Sequence, residues 1–290
     1  MKRRLIQLCS ALLYNLNLKG FAQVSIYQGK AKGLCVPGLN CYSCPGAVGS
    51  CPLGTLQNSL AALDRKMPFY ILGVLLLLGV TLGRTICGFL CPFGLVQELL
   101  YKIPVPKLKK SRFTRVLSKL KYMILIVFVI LLPIILKMAT RLPVPAFCKY
   151  ICPAGTLEGG IPLVLLDESL GSLAGALFSW KVLVMAAILI SACFIYRSFC
   201  RFLCPLGAIY SLFNKVSFLH ITIENSKCVG CNQCSKACKM DIDVCKTPNH
   251  PECIRCGACI KACPKDAIQY QFLGKTCPKK EQQQSTITNR

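Results

Sequence analysis

Cys-Gly-Phe-Leu-Cys-Pro-Phe-Gly, at residues 87–94, contains the unit that organises the chain: Cys-Pro-any-Gly occurs four times, each time beside a hydrophobic segment. The four copies begin at Cys51, Cys91, Cys152 and Cys204. Three of them have a second cysteine four residues earlier, and the first follows a cysteine-rich approach. Proline suits the first position of a helix, where its missing N–H is no loss. Each copy therefore predicts a thiol at the start of a helix, where the helix dipole favours a thiolate or an anionic cluster.

The composition indicates a membrane protein. The 290 residues are 54% hydrophobic and 16% charged, with 35 Lys and Arg against 11 Asp and Glu. Soluble domains are about 45–50% apolar and about 25% charged, so the excess predicts membrane spans with basic residues in the loops. Nucleic-acid binding is the rival explanation of the charge, but the basic residues cluster beside apolar spans. A disulfide framework would need a small secreted chain, whereas the 22 cysteines have the spacings of metal ligands.

Four apolar segments predict about four spans, at residues 5–26, 68–86, 122–136 and 177–195. The first is interrupted by polar residues and is interpreted as a weak span or an interfacial helix, with a signal peptide as the alternative. Residues 102–121 carry eight Lys or Arg and no acid. By the positive-inside rule this loop is cytoplasmic, so both termini are predicted to be cytoplasmic too.

The predicted membrane domain, residues 1–220, contains an internal repeat. Residues 51–57 (Cys-Pro-Leu-Gly-Thr-Leu-Gln) match 152–158 (Cys-Pro-Ala-Gly-Thr-Leu-Glu), and residues 87–94 match 200–207. Two parallel repeats, at about 5–105 and 119–220, would pair about an axis along the membrane normal. The fold class predicted is an α-helical membrane protein with a two-fold repeat and a C-terminal α+β ferredoxin domain of the bacterial two-cluster type.

The repeat predicts two sets of cysteine ligands. The inner set would bind one 4Fe-4S cluster at the cytoplasmic face and consists of Cys87, Cys91, Cys200 and Cys204. The outer set would bind a second cluster at the opposite face and consists of Cys44, Cys51, Cys148 and Cys152, with Cys41 as an alternative to Cys44. Zinc is the alternative metal, but thiolate pairs at the ends of apolar spans indicate no obvious role for it. The bilayer core is about 30 Å thick, so a single hop between faces is hard unless the clusters are drawn into the bundle or bridged by a partner's cofactor.

Residues 221–272 carry the most specific signal in the chain. They contain two Cys-x-x-Cys-x-x-Cys-x-x-x-Cys runs, in which the fourth cysteine of each run ligates the cluster of the other. The first ferredoxin set is therefore Cys228, Cys231, Cys234 and Cys263, and the second is Cys238, Cys253, Cys256 and Cys259. Lys239 replaces the proline that usually follows the first run. Residues 273–290 are predicted to form a disordered tail.

Six cysteines fall outside these sets: Cys9, Cys35, Cys41, Cys193, Cys245 and Cys277. Cys9 and Cys193 lie in apolar segments and are interpreted as core residues. Cys35 and Cys41 are candidates for the outer cluster, and the last two are unassigned, a free surface thiol being the default. The two histidines, His220 and His250, have no partner for a haem. No catalytic residue is predicted, which favours an electron carrier or an oxidoreductase subunit over a stand-alone enzyme.

At these motifs the chain resembles the membrane polyferredoxins of the NapH and NosR family, from about residue 4 to residue 272. The resemblance implies a membrane electron carrier whose ferredoxin domain faces the cytoplasm and whose motif cysteines bind iron as 4Fe-4S clusters. The chain has no flavin-carrying domain of the NosR type, and its outer set exceeds the minimal family pattern. The family's partners, such as nitrate or nitrous oxide reductase, are therefore not carried over.

These observations predict an iron-sulfur protein of the cytoplasmic membrane that contacts lipid and no nucleic acid. Electrons would pass between a cytosolic donor, the ferredoxin clusters, the inner cluster and the outer cluster, to a redox partner at or across the membrane. Two alternatives stay open. One is an assembly or maturation factor that supplies reducing equivalents to a metalloenzyme, and the other is a membrane redox sensor.

Overall fold

The computed structural model describes residues 2–61, 68–108, 112–167, 169, 171, 175–273 and 275–276. Most of these residues are helical. The first half contains helices Lys2–Tyr14, Lys19–Ala22, Pro52–Ala61, Phe69–Leu82, Thr85–Phe89 and Pro92–Leu100, with a 3-10 turn at Lys30–Gly33. The second half contains Arg112–Leu117, Leu120–Ile124, Leu125–Leu131 (a π-helix), Leu132–Thr140, Ala146–Tyr150, Gly155–Gly160 (a π-helix), Ile161–Leu166, Ala176–Phe194, Ser198–Phe202 and Pro205–Phe213.

The prediction that each Cys-Pro pair begins a helix is confirmed. Pro52, Pro92 and Pro205 are the first residues of their helices, and Pro153 begins the helical stretch that continues through Gly155–Gly160. Cys204 lies at the cap of its helix, and its thiol accepts a hydrogen bond from the Gly207 N–H at 3.4 Å. The cysteines therefore stand where unpaired backbone N–H groups are found.

Two helices of the described chain are long and apolar enough to cross a membrane, Thr114–Thr140 with 27 residues and Ala176–Phe194 with 19. Only 22% and 17% of their apolar stretches are buried inside the chain, so most of their apolar surface faces outward. The other two predicted spans form shorter helices. Phe69–Leu82 has 14 residues and ends at Gly83, whose φ is 54°. At 1.5 Å per residue such a helix is about 21 Å long, which is less than the hydrocarbon thickness of about 30 Å.

The helices that follow the outer cysteines form hairpins. Pro52–Ala61 leads away from Cys51, and Phe69–Leu82 packs against it and leads back to the segment that contains Cys87. Likewise, the stretch that ends at Leu166 leads away from Cys152, and Ala176–Phe194 packs against it and leads back toward Cys200. In the second hairpin the Trp180 side chain donates to the Tyr150 carbonyl at 3.2 Å, so the outer cysteines lie beside the start of the Ala176–Phe194 helix, whereas Cys200 follows its end.

The C-terminal domain is an α+β unit. Its sheet is antiparallel with the order β1 (Leu219–Ile223), β2 (Ile268–Phe272) and β3 (Lys275–Thr276), and its helices are Gln233–Ala237 and Ala258–Ala262. Strand β3 lies within the predicted tail, so ordered structure extends to Thr276. Residues 277–290, including Cys277, lie outside the described residues.

Buried polar contacts join this domain to the helical region. Arg255 is fully buried and donates hydrogen bonds to the Leu82 carbonyl at 3.0 Å and the Asn214 carbonyl at 2.7 Å. The Asn214 side chain donates in return to the Cys253 carbonyl at 2.9 Å. Gly88, next to the inner set, lies so close to the Ile254 carbonyl oxygen that a Cβ at this glycine would overlap it. The loop that carries Cys253 and Cys256 is therefore packed directly against the inner set.

Replacing Gly88 by alanine tests this contact. The new methyl group would push against the Ile254 carbonyl, and overpacking of this kind costs typically about 1–3 kcal/mol. We expect the Gly88→Ala protein to unfold at a lower temperature than the wild type in the same detergent. Gly73→Ala is the matched control, because nothing lies within 4 Å of the Cβ position at that helical glycine. Equal melting temperatures for the two variants would contradict the contact.

Candidate metal centres

The eight ferredoxin cysteines line two separate cavities. One cavity is lined by the first ferredoxin set, Cys228, Cys231, Cys234 and Cys263, together with Cys245. The other is lined by the second ferredoxin set, Cys238, Cys253, Cys256 and Cys259. The structure thus groups the last cysteine of each run with the first three cysteines of the other. Cys228 and Cys231 are exposed, whereas Cys259 is buried.

The four cysteines of the inner set are buried together. Cys87, Cys91, Cys200 and Cys204 are each at most 7% exposed, and their thiols interact electrostatically with one another. Burial, together with the charges of Cys200 and Cys87, raises the pKa of the Cys91 thiol to about 12. A thiol of this kind is neutral at pH 7 unless a bound cation deprotonates it, as metals do to coordinating thiols.

Two fully buried arginines, which we call the arginine pair, cross-link the two halves beside the inner set. Arg84 stands three residues before Cys87 and donates to the Cys200 carbonyl at 2.8 Å. Arg197 stands three residues before Cys200 and donates to the Cys87 carbonyl. The same exchange therefore occurs in both directions, as the sequence repeat would require.

Each arginine of the pair has its own buried carboxylate. Arg84 forms an ion pair with Glu252 at 2.6 Å, and Arg197 forms one with Glu98 at 2.6 Å. Burial alone would raise the pKa of Glu98, but the hydrogen bond from Arg3 and the charge of Arg197 outweigh it and lower the pKa to about 2. The Arg84 Nε atom is buried and has no hydrogen-bond partner among the described residues. Positive charge with unused hydrogen-bonding capacity therefore lies beside the inner thiols.

A glutamine six residues after the cysteine in the first two copies holds the cysteine loop of the opposite half. The Gln97 amide donates to the Cys200 thiol at 3.0 Å and accepts from the Phe199 N–H at 3.0 Å. The Gln57 amide makes the same pair of bonds, to the Cys148 thiol at 3.3 Å and from the Phe147 N–H at 2.9 Å. We call these the glutamine clamps. They were not predicted from the sequence, although both glutamines stand at the same offset from a Cys-Pro pair.

The outer set surrounds one larger cavity of about 390 Å³, whose cysteine lining is Cys41, Cys51, Cys148 and Cys152. Lys181, near the start of the Ala176–Phe194 helix, also lines this cavity. Cys44 is buried, but it is not among the lining residues that the structure describes. The geometry thus groups three of the predicted cysteines with Cys41.

Glu158 completes a reciprocal arrangement at the outer set. It stands at the position in the third copy that Gln57 occupies in the first, and its carboxylate accepts from the Cys41 N–H at 2.7 Å. The helix after Cys51 therefore holds the loop before Cys152 through Gln57, and the helix after Cys152 holds the loop before Cys51 through Glu158. This contact positions Cys41 rather than Cys44.

The inner and outer sets lie side by side. The N–H of Leu39 is directed at the Cys91 thiol and the N–H of Asn40 at the Cys51 thiol. Consecutive Cα atoms are about 3.8 Å apart, so one short backbone segment touches both sets. The Tyr210 hydroxyl also interacts electrostatically with Cys51, Cys87 and Cys91. The two sets are therefore closer together than sites at opposite faces of a hydrocarbon layer about 30 Å thick would be, because the loop that contains Leu39 and Asn40 contacts both.

The donor groups fit iron-sulfur clusters. Among the described residues, no three His, Cys, Asp or Glu side chains converge closely enough to hold a single metal ion. A 4Fe-4S cluster does not require such convergence, because each thiolate binds a different iron and the four ligands surround a cavity. Backbone N–H groups directed at thiols and the buried arginine pair are the contacts that an anionic cluster requires.

The remaining predicted residues lie apart from these cavities. Cys35 is hydrogen-bonded to Thr55 at 3.6 Å and is not among the described residues that line the outer cavity. Cys9 is exposed, and Cys193 is half-buried and donates to the Leu189 carbonyl. The interpretation of Cys9 as a core residue is therefore wrong for the described chain, because its face of the Lys2–Tyr14 helix points outward.

Comparison with known proteins agrees with this chemistry. A 4Fe-4S binding domain family matches the chain three times, at residues 67–111, 122–161 and 177–222, and a second 4Fe-4S binding domain family matches residues 248–269. Each of the first three matches contains one pair of cysteines four residues apart. The repeated unit that this family describes is thus a helical segment with one such pair.

Relatives share most of the chain. It is 31% identical over 220 residues to the uncharacterized protein MJ0750 of Methanocaldococcus jannaschii, across 76% of this chain and 83% of that protein. It is 25% identical over 215 residues to the putative electron transport protein YccM of Escherichia coli, across 70% of this chain and 56% of that protein. It is 26% identical over 161 residues to the methylamine utilization ferredoxin-type protein MauN of Methylobacillus flagellatus, across 54% and 48%. No solved structure matches the chain.

The glutamine clamps give a paired test. Gln97→Leu removes the two bonds that hold the Cys200 loop, and losing a buried hydrogen bond costs roughly 1–3 kcal/mol. We expect this variant to lose iron and the EPR signal of the inner set while the outer signal remains. Gln57→Leu should show the converse, so each variant is the control for the other. If both variants lose the same signal, the two clamps do not serve separate centres.

Proposed function

The chain belongs to the family of the uncharacterized protein MJ0750 of Methanocaldococcus jannaschii, and segments of it match 4Fe-4S binding domains; we propose that it is a membrane-bound electron carrier with four 4Fe-4S clusters. The observation that carries this proposal is the continuous row of four cysteine sets, each packed against the next. Clusters of this type exchange single electrons when bound. The residues of this chain hold the clusters, determine the surroundings of each cluster and fix the order of the clusters along the row.

The row of cysteine sets begins at the protein surface and continues into the interior. The first ferredoxin set includes the exposed Cys228 and Cys231, where a partner protein can approach. The second set shares the small domain with the first, through the crossed fourth cysteines Cys238 and Cys263. We therefore propose that the first ferredoxin set exchanges electrons with a soluble redox partner.

The second ferredoxin set adjoins the inner set. Cys253 is tied to the helical region through its carbonyl by Asn214, and the neighbouring Arg255 is buried there. Ile254, between Cys253 and Cys256, has its carbonyl oxygen directly against Gly88, the residue after Cys87, and Arg255 donates to the Leu82 carbonyl. This packing supports direct electron exchange between the two sets.

The inner set adjoins the outer set through Leu39 and Asn40. Their consecutive N–H groups are directed at one thiol of each set, Cys91 and Cys51. The inner and outer sets are therefore separated by far less than the hydrocarbon thickness of about 30 Å, which an electron would have to cross between two membrane faces. The outer cavity then supports exchange with a second partner in or beyond the membrane.

Sidedness is part of the proposal. Arg115, in the basic segment between the second and third predicted spans, forms an ion pair with Asp241 of the ferredoxin domain at 3.3 Å, and Arg201 forms one with Asp241 at 3.4 Å. The basic segment and the ferredoxin domain thus share one side, which by the positive-inside rule is the cytoplasm. We propose a multi-pass protein of the NapH and NosR type, with four spans made of the two long helices and of shorter helices paired with them.

The fourth outer ligand can be identified by mutation. We propose Cys41, because it lines the cavity and is held by Glu158, whereas Cys44 does not line it. Cys41→Ser should remove the outer EPR signal and about a quarter of the bound iron, since four clusters hold about 16 iron atoms. Cys44→Ser is the matched control and should retain both. Loss of the signal in Cys44→Ser alone would overturn the assignment.

Counting the clusters tests the function as a whole. Purified protein in lipid nanodiscs should contain about 16 iron atoms per chain and show two signals beyond those of the ferredoxin domain. Cys148→Ser and Cys200→Ser should each remove a different one of these two signals. Freeze-quenched reduction by a reduced soluble ferredoxin should fill the ferredoxin signals first and should be slowed in Cys228→Ser. A protein with about eight iron atoms and only the ferredoxin signals would end the proposal of a conduit.

A further inference from the structure

The cavity of the first ferredoxin set contains one cysteine more than a cluster needs. Its lining includes the four predicted ligands and Cys245, which lies outside both cysteine runs. The lining of the second cavity, as the structure describes it, contains four cysteines and no fifth. The two cavities of this small domain therefore differ by one thiol.

The extra thiol lies beside one particular ligand. The Cys245 Sγ is 3.3 Å from the Cys234 Sγ. Two sulfur atoms bound to one tetrahedral metal lie about 3.8 Å apart when each bond is about 2.3 Å. The two thiols are therefore close enough to address the same iron atom, and a small side-chain rotation would exchange them.

The turn that carries Cys245 is held in place by specific bonds. The Ser235 hydroxyl accepts from the Val244 N–H at 3.0 Å and pairs with the Asp243 carboxylate at 3.2 Å. Ser235 follows Cys234 directly, so these bonds tie the turn to the ligand's own helix. Val244 is buried and lines the cavity of the second ferredoxin set. The thiol pair thus results from a built contact between two segments.

We propose that Cys245 is a reserve ligand of the first ferredoxin cluster, which can replace Cys234 on the same iron atom. The exchange is a substitution without a redox change: the Cys245 thiol loses a proton as its sulfur binds the iron, and the released Cys234 thiolate takes one up. The total charge and the oxidation states are unchanged. The reserve ligand serves the set that includes the two exposed cysteines, where solvent reaches most easily.

This inference rests on the proposed function, because it requires that the first set binds a cluster. The test is carried out on the full-length protein in nanodiscs. We expect Cys234→Ala to keep the iron content and both ferredoxin EPR signals, with a change in the line shape of one of them. Cys245→Ala should keep both signals unchanged. The double variant Cys234→Ala/Cys245→Ala should lose one signal and about a quarter of the iron.

Cys259→Ala is the matched control, because Cys259 is the third cysteine of its run, as Cys234 is of the first, and its cavity offers no described fifth thiol. It should lose the signal of the second cluster. That loss shows that removing a third cysteine is enough to release a cluster. The signal of the unmutated cluster in each variant reports that the domain is folded.

Alkylation gives a readout that does not depend on spectroscopy. Iodoacetamide under anaerobic conditions should label Cys245 in the wild type and leave it protected in Cys234→Ala, as read by peptide mass spectrometry. Loss of the first cluster in Cys234→Ala, or in Cys245→Ala alone, would overturn the reserve-ligand role. A wild-type protein without a first ferredoxin signal would instead contradict the proposed function, so the two failures are distinguishable.

Discussion

Burying several thiolates in an apolar helical bundle is the constraint on which this structure depends. An isolated buried charge is very costly, and a buried charge pair persists only with good geometry and additional hydrogen bonds. The arginine pair meets this requirement, since each guanidinium bonds the cysteine loop of the opposite half and a buried carboxylate of its own. Glu252, the partner of Arg84, belongs to the ferredoxin domain. The inner centre, the pairing of the two halves and the docking of the ferredoxin domain therefore depend on one network.

The outer set is held by contacts related to those of the inner set, but the charged groups around it differ. Gln57 repeats the clamp of Gln97, but the counterpart position in the third copy is the carboxylate of Glu158. The cavity is larger, and a lysine lines it instead of two fully buried arginines. The reduction potential of an iron-sulfur cluster depends on hydrogen bonds, local charge and solvent access. The two adjacent sets differ in these surroundings although they share one repeated framework.

The position of the two cysteine sets changes the interpretation of the apolar helices. In the sequence, apolar segments that separate cysteine motifs indicated crossings from one face to the other. In the structure, Phe69–Leu82 packs against Pro52–Ala61, and Cys51 and Cys87 both interact electrostatically with the Tyr210 hydroxyl. The loop that contains Leu39 and Asn40 then enters between the two sets. In the proposed function, electron exchange within the chain consequently needs no step across the full bilayer.

Local patterns were sufficient for the helix starts at the Cys-Pro pairs, because proline is suited to the first turn of a helix wherever that segment packs. Contacts between distant segments were not predictable in this way. The choice of Cys41 over Cys44, the glutamine clamps, the arginine exchange and the adjacency of the two centres each join residues that are far apart in sequence. Only packing specifies such contacts, since a hairpin and a pair of opposite spans have the same hydrophobic pattern.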